Sequence, residues 1–294
     1  MPSSTKPFRV AFQGEPGAFS EAAAIQLLGP EITTVPRATF DAVFRAIPEN
    51  AADALLVPVE NSLAGSVVRV YDLMLENHKD RLTITAETIL PIELNLIAVP
   101  GAALDKIQTV SSHPMALAQC ERFFAQHPLF KRVPAEDTAG SVREVLGRGD
   151  KISAAIAGRR AADYYKGVIL AEKIQDNSEN FTRFVLLRRE SAAAIAPTAD
   201  ARKMSVAMQL AHRPGALLAA LEPFARHNIN LRKIESRPIH GQPWAYSFII
   251  EIEADKPELL DAALAEARKS TDDLRVLGLY VAAKTDPAHS AARK

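Results

Sequence analysis

Cysteine is almost absent from this sequence: Cys120 is the only one, so no intramolecular disulfide and no multi-cysteine metal site can form. Histidine is sparse and scattered, seven residues with no H-x-x-x-H or similar ligand spacing. An excess of either charge is missing as well. Lys+Arg and Asp+Glu are equal at 35 each, which removes the overall basic balance of a nucleic-acid binder, and no Lys/Arg cluster stands out. Apolar runs stop well short of the ~20 residues of a membrane span. The opening MPSSTKPFRVAF lacks the apolar core of about 7–15 residues that marks a secretory signal. These absences lead to the expectation of a soluble, cytoplasmic protein that binds neither membrane nor nucleic acid. What is present is apolar mass. Hydrophobic residues make up 48% of the 294, enough for more than one core and for roughly two domains at ~150 residues each.

Along the first ~190 residues, strand-like and helix-like segments alternate. FRVAFQ (8–13) reads as a strand, GEPG as a turn and AFSEAAAIQLL as a helix. Phe40, Val43, Phe44 and Ile47 fall at i, i+3, i+4, i+7, an amphipathic helix. ADALLVPVE (52–60) is an apolar strand followed by the helix VVRVYDLMLEN; IQTVSS precedes the helix PMALAQCERFFAQH; SAAIA precedes a helix from Gly158. This rhythm predicts an α/β architecture with a largely parallel sheet. LTITAETILPIELNLIAVPG, mostly extended, predicts a crossing between two lobes, with the strand after Asn180 returning to the first. A cleft between lobes is a preferred place for a small ligand. ESAAAIAPTADAR reads as a linker, taken as 191–202. The remainder reads strand, helix, strand, strand, helix, strand, the βαββαβ order of a ferredoxin-like unit over 203–283, and 284–294 as a disordered tail.

Chemistry-bearing residues gather at strand ends. Gly14 and Gly17 permit a tight turn before a helix whose N–H groups suit an anion, although a plain strand–helix turn accounts for them too. Glu60, Asn61 and Ser62 follow an apolar strand, where open α/β sheets bind ligands; a helix cap plus turn fits them as well. SSHPMALAQC and EDTAGSV repeat the arrangement. His113 reads as a base or, more simply, a cap; Cys120 as a core residue more than a nucleophile. Four such strand ends together suggest a cleft lined with N–H and O–H donors for a small anion. Then SENFTRFVLL (178–187) sets Thr182 and Arg183 at the head of an apolar strand, where successive side chains point to opposite faces.

GEPGAFSE, PVENSLAG, SSHPMALAQC, EDTAGS, SAAIA and NFTRFVLL, in this order, resemble the prephenate dehydratase family, and the C-terminal unit resembles its ACT regulatory domain through GALL (215–218) and ESRP (235–238). The resemblance covers roughly residues 8–283 and carries no fused chorismate mutase segment ahead of the first strand. Met115 departs from it, since the family's SHP motif is usually followed by Gln. The resemblance implies a two-lobed, periplasmic-binding-protein-like catalytic domain over 7–190. It implies decarboxylative dehydration of prephenate to phenylpyruvate, without cofactor or metal. Thr182 would act at the departing hydroxyl and Arg183 would pair with a substrate carboxylate; Asn61, Ser62, Ser112, Gln119 and Phe184 would border the substrate. L-Phenylalanine would bind Gly215, Ala216, Leu217, Leu218, Glu235, Ser236, Arg237 and Pro238, with ACT domains paired in a homo-dimer or tetramer. Arogenate dehydration and a non-enzymatic small-anion binder are the competing readings.

Overall fold

The structure, a computed structural model, describes residues 7–76, 81–191, 200–239 and 241–284. Most of the expected linker (192–199) and nearly all of the expected tail (285–294) lie outside them. Two compact units divide the chain: Met1–Val67 with Thr88–Phe184, and Val68–Glu87 with Val185–Lys294.

In chain order the first half runs β1 (Arg9–Gln13), α1 (Phe19–Leu28), β2 (Thr33–Arg37), α2 (Phe40–Arg45), β3 (Ala54–Asn61), β4 (Gly65–Ser66), α3 (Val68–Glu76), β5 (Leu82–Pro91) and β6 (Asn95–Ala98). There follow β7 (Thr109–Ser112), α4 (Pro114–Ala118), α5 (Glu121–Gln126), β8 (Lys131–Pro134), α6 (Thr138–Arg148), β9 (Ser153–Ala157), α7 (Arg159–Tyr165), β10 (Val168–Ala171) and β11 (Phe181–Arg189). The last part is β12 (Lys203–Gln209), α8 (Ala216–Arg226), β13 (Asn230–Pro238), β14 (Tyr246–Glu253), α9 (Pro257–Ala267) and β15 (Asp273–Tyr280).

Two sheets form the lobes of the first unit. One has the order β2-β1-β3-β11-β5 with β4 on β3, the other β10-β6-β9-β7-β8. β1 runs parallel to β2 and β3, and β7 parallel to β8 and β9. The chain crosses between lobes after β5 and returns after β10, so the two-lobed α/β arrangement and the return at Asn180 are as the alternation predicted; the second sheet, expected to be largely parallel, is mixed, because β6 runs antiparallel to both β9 and β10. Strand faces follow the period of two. Leu96, Ala98 and Ile156 join one apolar cluster of the second sheet, while Ile97, Ala155 and Ala157 join another that also takes Phe12 and Ala18 from the first lobe. The expected helix 114–127 is broken into α4 and α5. The Asp176 carboxylate accepts from the N–H groups of Glu121 and Arg122 at 2.8 and 2.9 Å, capping a second helix start, and the Asp176 N–H takes the Gln119 carbonyl.

The head of α1 braces the lobes. Gly17 has φ +90° and lies so close to α7 that a Cβ there would sit 2.8 Å from Ala161 Cα. Glu21 is 2% exposed and accepts from Arg160 at 2.7 Å, from the Gly17 N–H at 2.8 Å and from the Thr34 hydroxyl at 2.8 Å. Burial pushes the Glu21 pKa up, but these three hydrogen bonds outweigh it and hold the carboxyl below its ordinary value.

In the second unit the sheet order is β13-β14-β12-β15, antiparallel throughout, the ferredoxin-like unit expected from the βαββαβ pattern. Met204, Val206, Met208, Ile250 and Ile252 pack with Ala220 and Phe224 of α8 and Leu260 and Leu264 of α9. The opposite face meets α3 and the first half of β5. Thr83 donates to the Leu277 carbonyl at 3.1 Å, and buried Lys203 pairs with Glu87 at 2.9 Å and Glu251 at 3.1 Å. Removing one partner from such a buried set costs about 3–5 kcal/mol, which fixes the position of β5 on this face. Among the described residues no helix is long and apolar enough to cross a membrane.

The lowered pKa of Glu21 has a definite pH signature. Its folded value lies below the unfolded one, so the stabilisation is complete above the ordinary carboxylate pKa of ~4.3 and is lost as pH falls through the folded value. Urea unfolding of wild type and Glu21→Gln should therefore show a stability gap at neutral pH that narrows on acidification; a gap independent of pH contradicts this.

Candidate active site

The helix starts expected to offer N–H donors to an anion are largely occupied by the chain itself. Glu21 takes the Gly17 N–H, His113 Nδ1 accepts from the Met115 N–H at 3.2 Å, and Asp137 caps α6 through Gly140 at 2.6 Å. His113 is a cap. Cys120 is fully buried, and burial, with Asp176 and Glu121 nearby, pushes its thiol up to about 12, so it is a core residue.

The polar side chains that remain converge at the C-terminal end of β3 and the start of β11. Asn61 Oδ1 accepts from the N–H groups of Leu63 and Ala64 at 3.0 and 2.8 Å, which fixes which end of the amide is oxygen. Its Nδ2 therefore faces three acceptors: Asn180 Oδ1 at 2.8 Å, the Phe181 carbonyl at 3.1 Å and Thr182 Oγ1 at 3.0 Å. Asn180, 1% exposed, donates through Nδ2 to Gln119 Oε1 at 3.0 Å. Gln119 is the C-cap of α4 and belongs to the second lobe. A line of amides thus runs from Gln119 through Asn180 and Asn61 to the Thr182 hydroxyl, joining both lobes. Among the described residues, Thr182 Oγ1 accepts a hydrogen bond and donates none to protein, so its proton is available to a ligand.

Thr182 and Arg183 address opposite faces of β11. Arg183, 9% exposed, pairs through Nη2 with Glu60 Oε2 at 2.9 Å, while Thr182 bonds to the next residue of β3, Asn61. Ser62 holds the same loop: its hydroxyl donates to the Glu179 carbonyl at 2.8 Å and accepts from the Phe181 N–H at 2.9 Å. Ser112 is fully buried and donates to the Ile156 carbonyl at 2.6 Å, and Phe184 is 2% exposed. Met115 is half-exposed and lies four residues before Gln119, on the same side of α4. Asn180 is the member of this cluster that the sequence reading leaves without a role, and Glu60, read there as one of the polar residues at a strand end, is the partner of Arg183. The signal for Asn180 is its place directly before FTRF.

In the second unit, Gly215 has φ +79° and caps α8 in the left-handed region that glycine favours. Ala216 and Leu217 line a cavity of about 140 Å³ with His212, Trp244, Tyr246 and Phe248. Leu218 is exposed. Glu235, Ser236, Arg237 and Pro238 lie on β13 and do not line that cavity. Arg237 and Pro238 line another of about 300 Å³ beside α3.

Removing the central amide by Asn180→Ala leaves Gln119 Oε1 without its donor and Asn61 with one acceptor fewer in a buried setting, so unfolding free energy should drop by about 1–3 kcal/mol. A denaturation midpoint equal to wild type would show that the amide line carries no such weight.

Comparison with known proteins finds two families along the chain. The prephenate dehydratase profile matches residues 10–192 and that of the ACT domain residues 205–268. Arogenate dehydratase 1 of Petunia hybrida is 40% identical over 289 residues, and arogenate dehydratase 3, chloroplastic, of Arabidopsis thaliana 41% over 290; each match covers 92% of this chain and 66% of the relative's length. The prephenate dehydratase of Arthrobacter aurescens, solved in complex with L-Phe, is 32% identical with a TM-score of 0.84, covering 97% of this chain and 96% of its own. GqqA, described as a novel type of quorum quenching acylase, is 30% identical with a TM-score of 0.85, covering 96% and 99%. The chain belongs to the prephenate dehydratase family and carries an ACT domain after the dehydratase segment.

Proposed function

We propose that this protein is a prephenate dehydratase inhibited by L-phenylalanine. In the reaction the bond to the ring carboxylate breaks, its electron pair enters the ring, and the ring hydroxyl leaves with one proton as water. Aromatisation supplies the driving force, so neither redox cofactor nor metal is needed to balance the step. The observation that carries the reading is the hydrogen bond from Asn61 Nδ2 into Thr182 Oγ1. It occupies a lone pair of the hydroxyl oxygen and leaves the proton to be aimed at the departing group. An N–H donated to an oxygen also strengthens that oxygen's own donation. Threonine is a poor acid, so its work is to position and polarise, relaying a proton and not originating it.

Gln119, whose oxygen is held by Asn180, supplies an amide contact to the substrate, while Asn61, its amide committed to Leu63, Ala64, Asn180, Phe181 and Thr182, orients the Thr182 hydroxyl instead of touching substrate. Ser62 secures the loop beside Thr182, and Ser112 and Phe184 shape the wall from within. For Arg183 to take the side-chain carboxylate of the substrate, its long side chain has to leave the face of β11 opposite Thr182 and its pair with Glu60 has to open or be shared. Binding of the leaving carboxylate would stabilise the charge that has to disperse. An acylase, as GqqA is described, calls for a nucleophile beside a base if it works through a covalent intermediate. Here Thr182 faces an amide donor, the Cys120 thiol is buried, and His113 Nδ1 is engaged by a backbone N–H. The geometry supports the lyase.

Phenylalanine binding is read at GALL and ESRP. Within one chain the first motif lines a cavity that the second does not reach, which supports a site completed by a second copy in a homo-dimer or tetramer. Exposure of Leu218 at 73% and Trp244 at 76% supports covering of this surface by such a copy. A cytoplasmic setting goes with the reading, since the single buried cysteine makes no demand for an oxidising compartment.

The assay is phenylpyruvate formation from prephenate, repeated with arogenate, with and without phenylalanine. Thr182→Ala should lower turnover by about 10²–10⁴-fold, and an unchanged rate would remove the hydroxyl from the chemistry. Arg183→Ala should chiefly raise KM; a normal KM with a lowered kcat would contradict its assignment to substrate binding. Preference for arogenate would keep the mechanism and change the substrate. Saturable binding with turnover of neither would establish a binding module.

A further inference from the structure

We propose that Asp72 of α3 is a coupling residue that carries phenylalanine binding at β13 to the Asn61–Thr182 site; the proposal rests on the reading of the C-terminal unit as a phenylalanine sensor. The ESRP segment addresses two sides of its sheet at once. Ser236 and Pro238 lie opposite Phe248 and Tyr246, and Arg237 lies opposite Ser247. Directly opposed residues of an antiparallel pair share a face. Ser236 therefore shares the face of Phe248, which lines the GALL cavity, whereas Pro238, at the end of the strand, lines the cavity beside α3. Arg237, between them in sequence, points to the other face.

There Arg237 grips Asp72 with two bonds, Nε to Oδ1 at 2.7 Å and Nη2 to Oδ2 at 3.2 Å. A fork of this kind fixes orientation as well as distance. The two side chains are 20% and 25% exposed, so the pair is better shielded than an ordinary surface ion pair. Beside it lies the cavity of about 300 Å³, lined by Arg69, Asp72 and Glu76 of α3 and by Arg237 and Ser247 of the sheet. The ion pair spans this gap between α3 and the sheet. Other ties to α3 come from Arg275 of β15, whose Nη2 donates to the Met74 carbonyl at 2.8 Å, and from Lys233 of β13, whose Nζ lies 5.6 Å from the centre of the Tyr71 ring; neither residue belongs to the ESRP segment.

From Asp72 the chain leads straight back to the site. α3 begins at Val68, and the Val67 N–H before it donates to the Val59 carbonyl at 3.0 Å. Ser66 pairs with Glu60 and Gly65 with Asn61. A shift of β13 that moves the Arg237 guanidinium draws on α3 through Asp72, and α3 draws on the 61–67 loop whose Asn61 amide holds Thr182. Ligand and site are then coupled because phenylalanine favours one position of β13 over another.

The test is Asp72→Asn in the full-length protein, which keeps the shape and removes the charge. Turnover without phenylalanine and phenylalanine binding by calorimetry should both stay within about threefold of wild type, while the inhibition ratio at saturating phenylalanine should fall by about fivefold or more. Asp72→Glu, which restores the carboxylate, should recover part of the inhibition. Amide hydrogen exchange at residues 60–68 should respond to phenylalanine in wild type and not in Asp72→Asn, a readout independent of turnover. Inhibition at the wild-type ratio in Asp72→Asn, loss of phenylalanine binding in that variant, or exchange at 60–68 indifferent to phenylalanine in wild type would each overturn the proposal. Absence of wild-type turnover, with the exchange pattern as expected, would count against the dehydratase reading alone.

Discussion

The hydrogen bond from the Asn61 amide to the Thr182 hydroxyl is the constraint from which the rest of the site takes its order. An amide can present either end to a neighbour, and the two ends have opposite effects on a hydroxyl. With oxygen forward, Asn61 would take the threonine proton. With nitrogen forward, it leaves that proton for a ligand. The choice is made by the backbone, because Leu63 and Ala64 both point their N–H groups at Oδ1. Asn180 confirms it from the other side by presenting its own oxygen to Nδ2. Segments more than a hundred residues apart in sequence therefore agree on the direction of one side chain. The Glu21–Arg160 pair and the contact of Gly17 with Ala161 hold the lobes that bring those segments together.

Much of this was legible in the sequence. The alternation of β and α segments, the crossing after residue 81, the return after Asn180 and the βαββαβ order all follow from periodicity, which is a property of neighbours in the chain. The opposite orientation of Thr182 and Arg183 follows from the same period of two. What periodicity cannot reveal is how a donor is used once the chain has folded. Four helix starts read as a donor-lined cleft, yet Glu21, His113 and Asp137 fill three of them from inside. The break between α4 and α5 was hidden for the same reason: it is made by Asp176, 55 residues away from Glu121. That break matters, because it ends α4 at Gln119 and frees the glutamine side chain to meet Asn180. Asn180 itself sits in a polar loop and looks solvated in sequence; only the packed structure shows it 1% exposed and bonded on both sides.

The same local arrangement occurs at both proposed sites of the chain. At the head of β11, adjacent residues send a hydroxyl to one face and a guanidinium to the other. Along β13, adjacent residues send Ser236 to one face and a guanidinium to the other. In each case the arginine ends on a carboxylate of another element, Glu60 or Asp72. A strand is suited to this because its side chains are rigidly opposed while its backbone moves as one piece. A ligand touching one face thus displaces groups on the other without any rotamer having to change. Helices lack this property, since neighbouring side chains are about 100° apart and a contact on one side is passed round gradually. The ESRP motif lies on a strand and its arginine is ion-paired to the helix following the Asn61 loop. In the proposed reading, an effector site on one side of the sheet and a mechanical outlet on the other both follow from a single four-residue stretch read with period two.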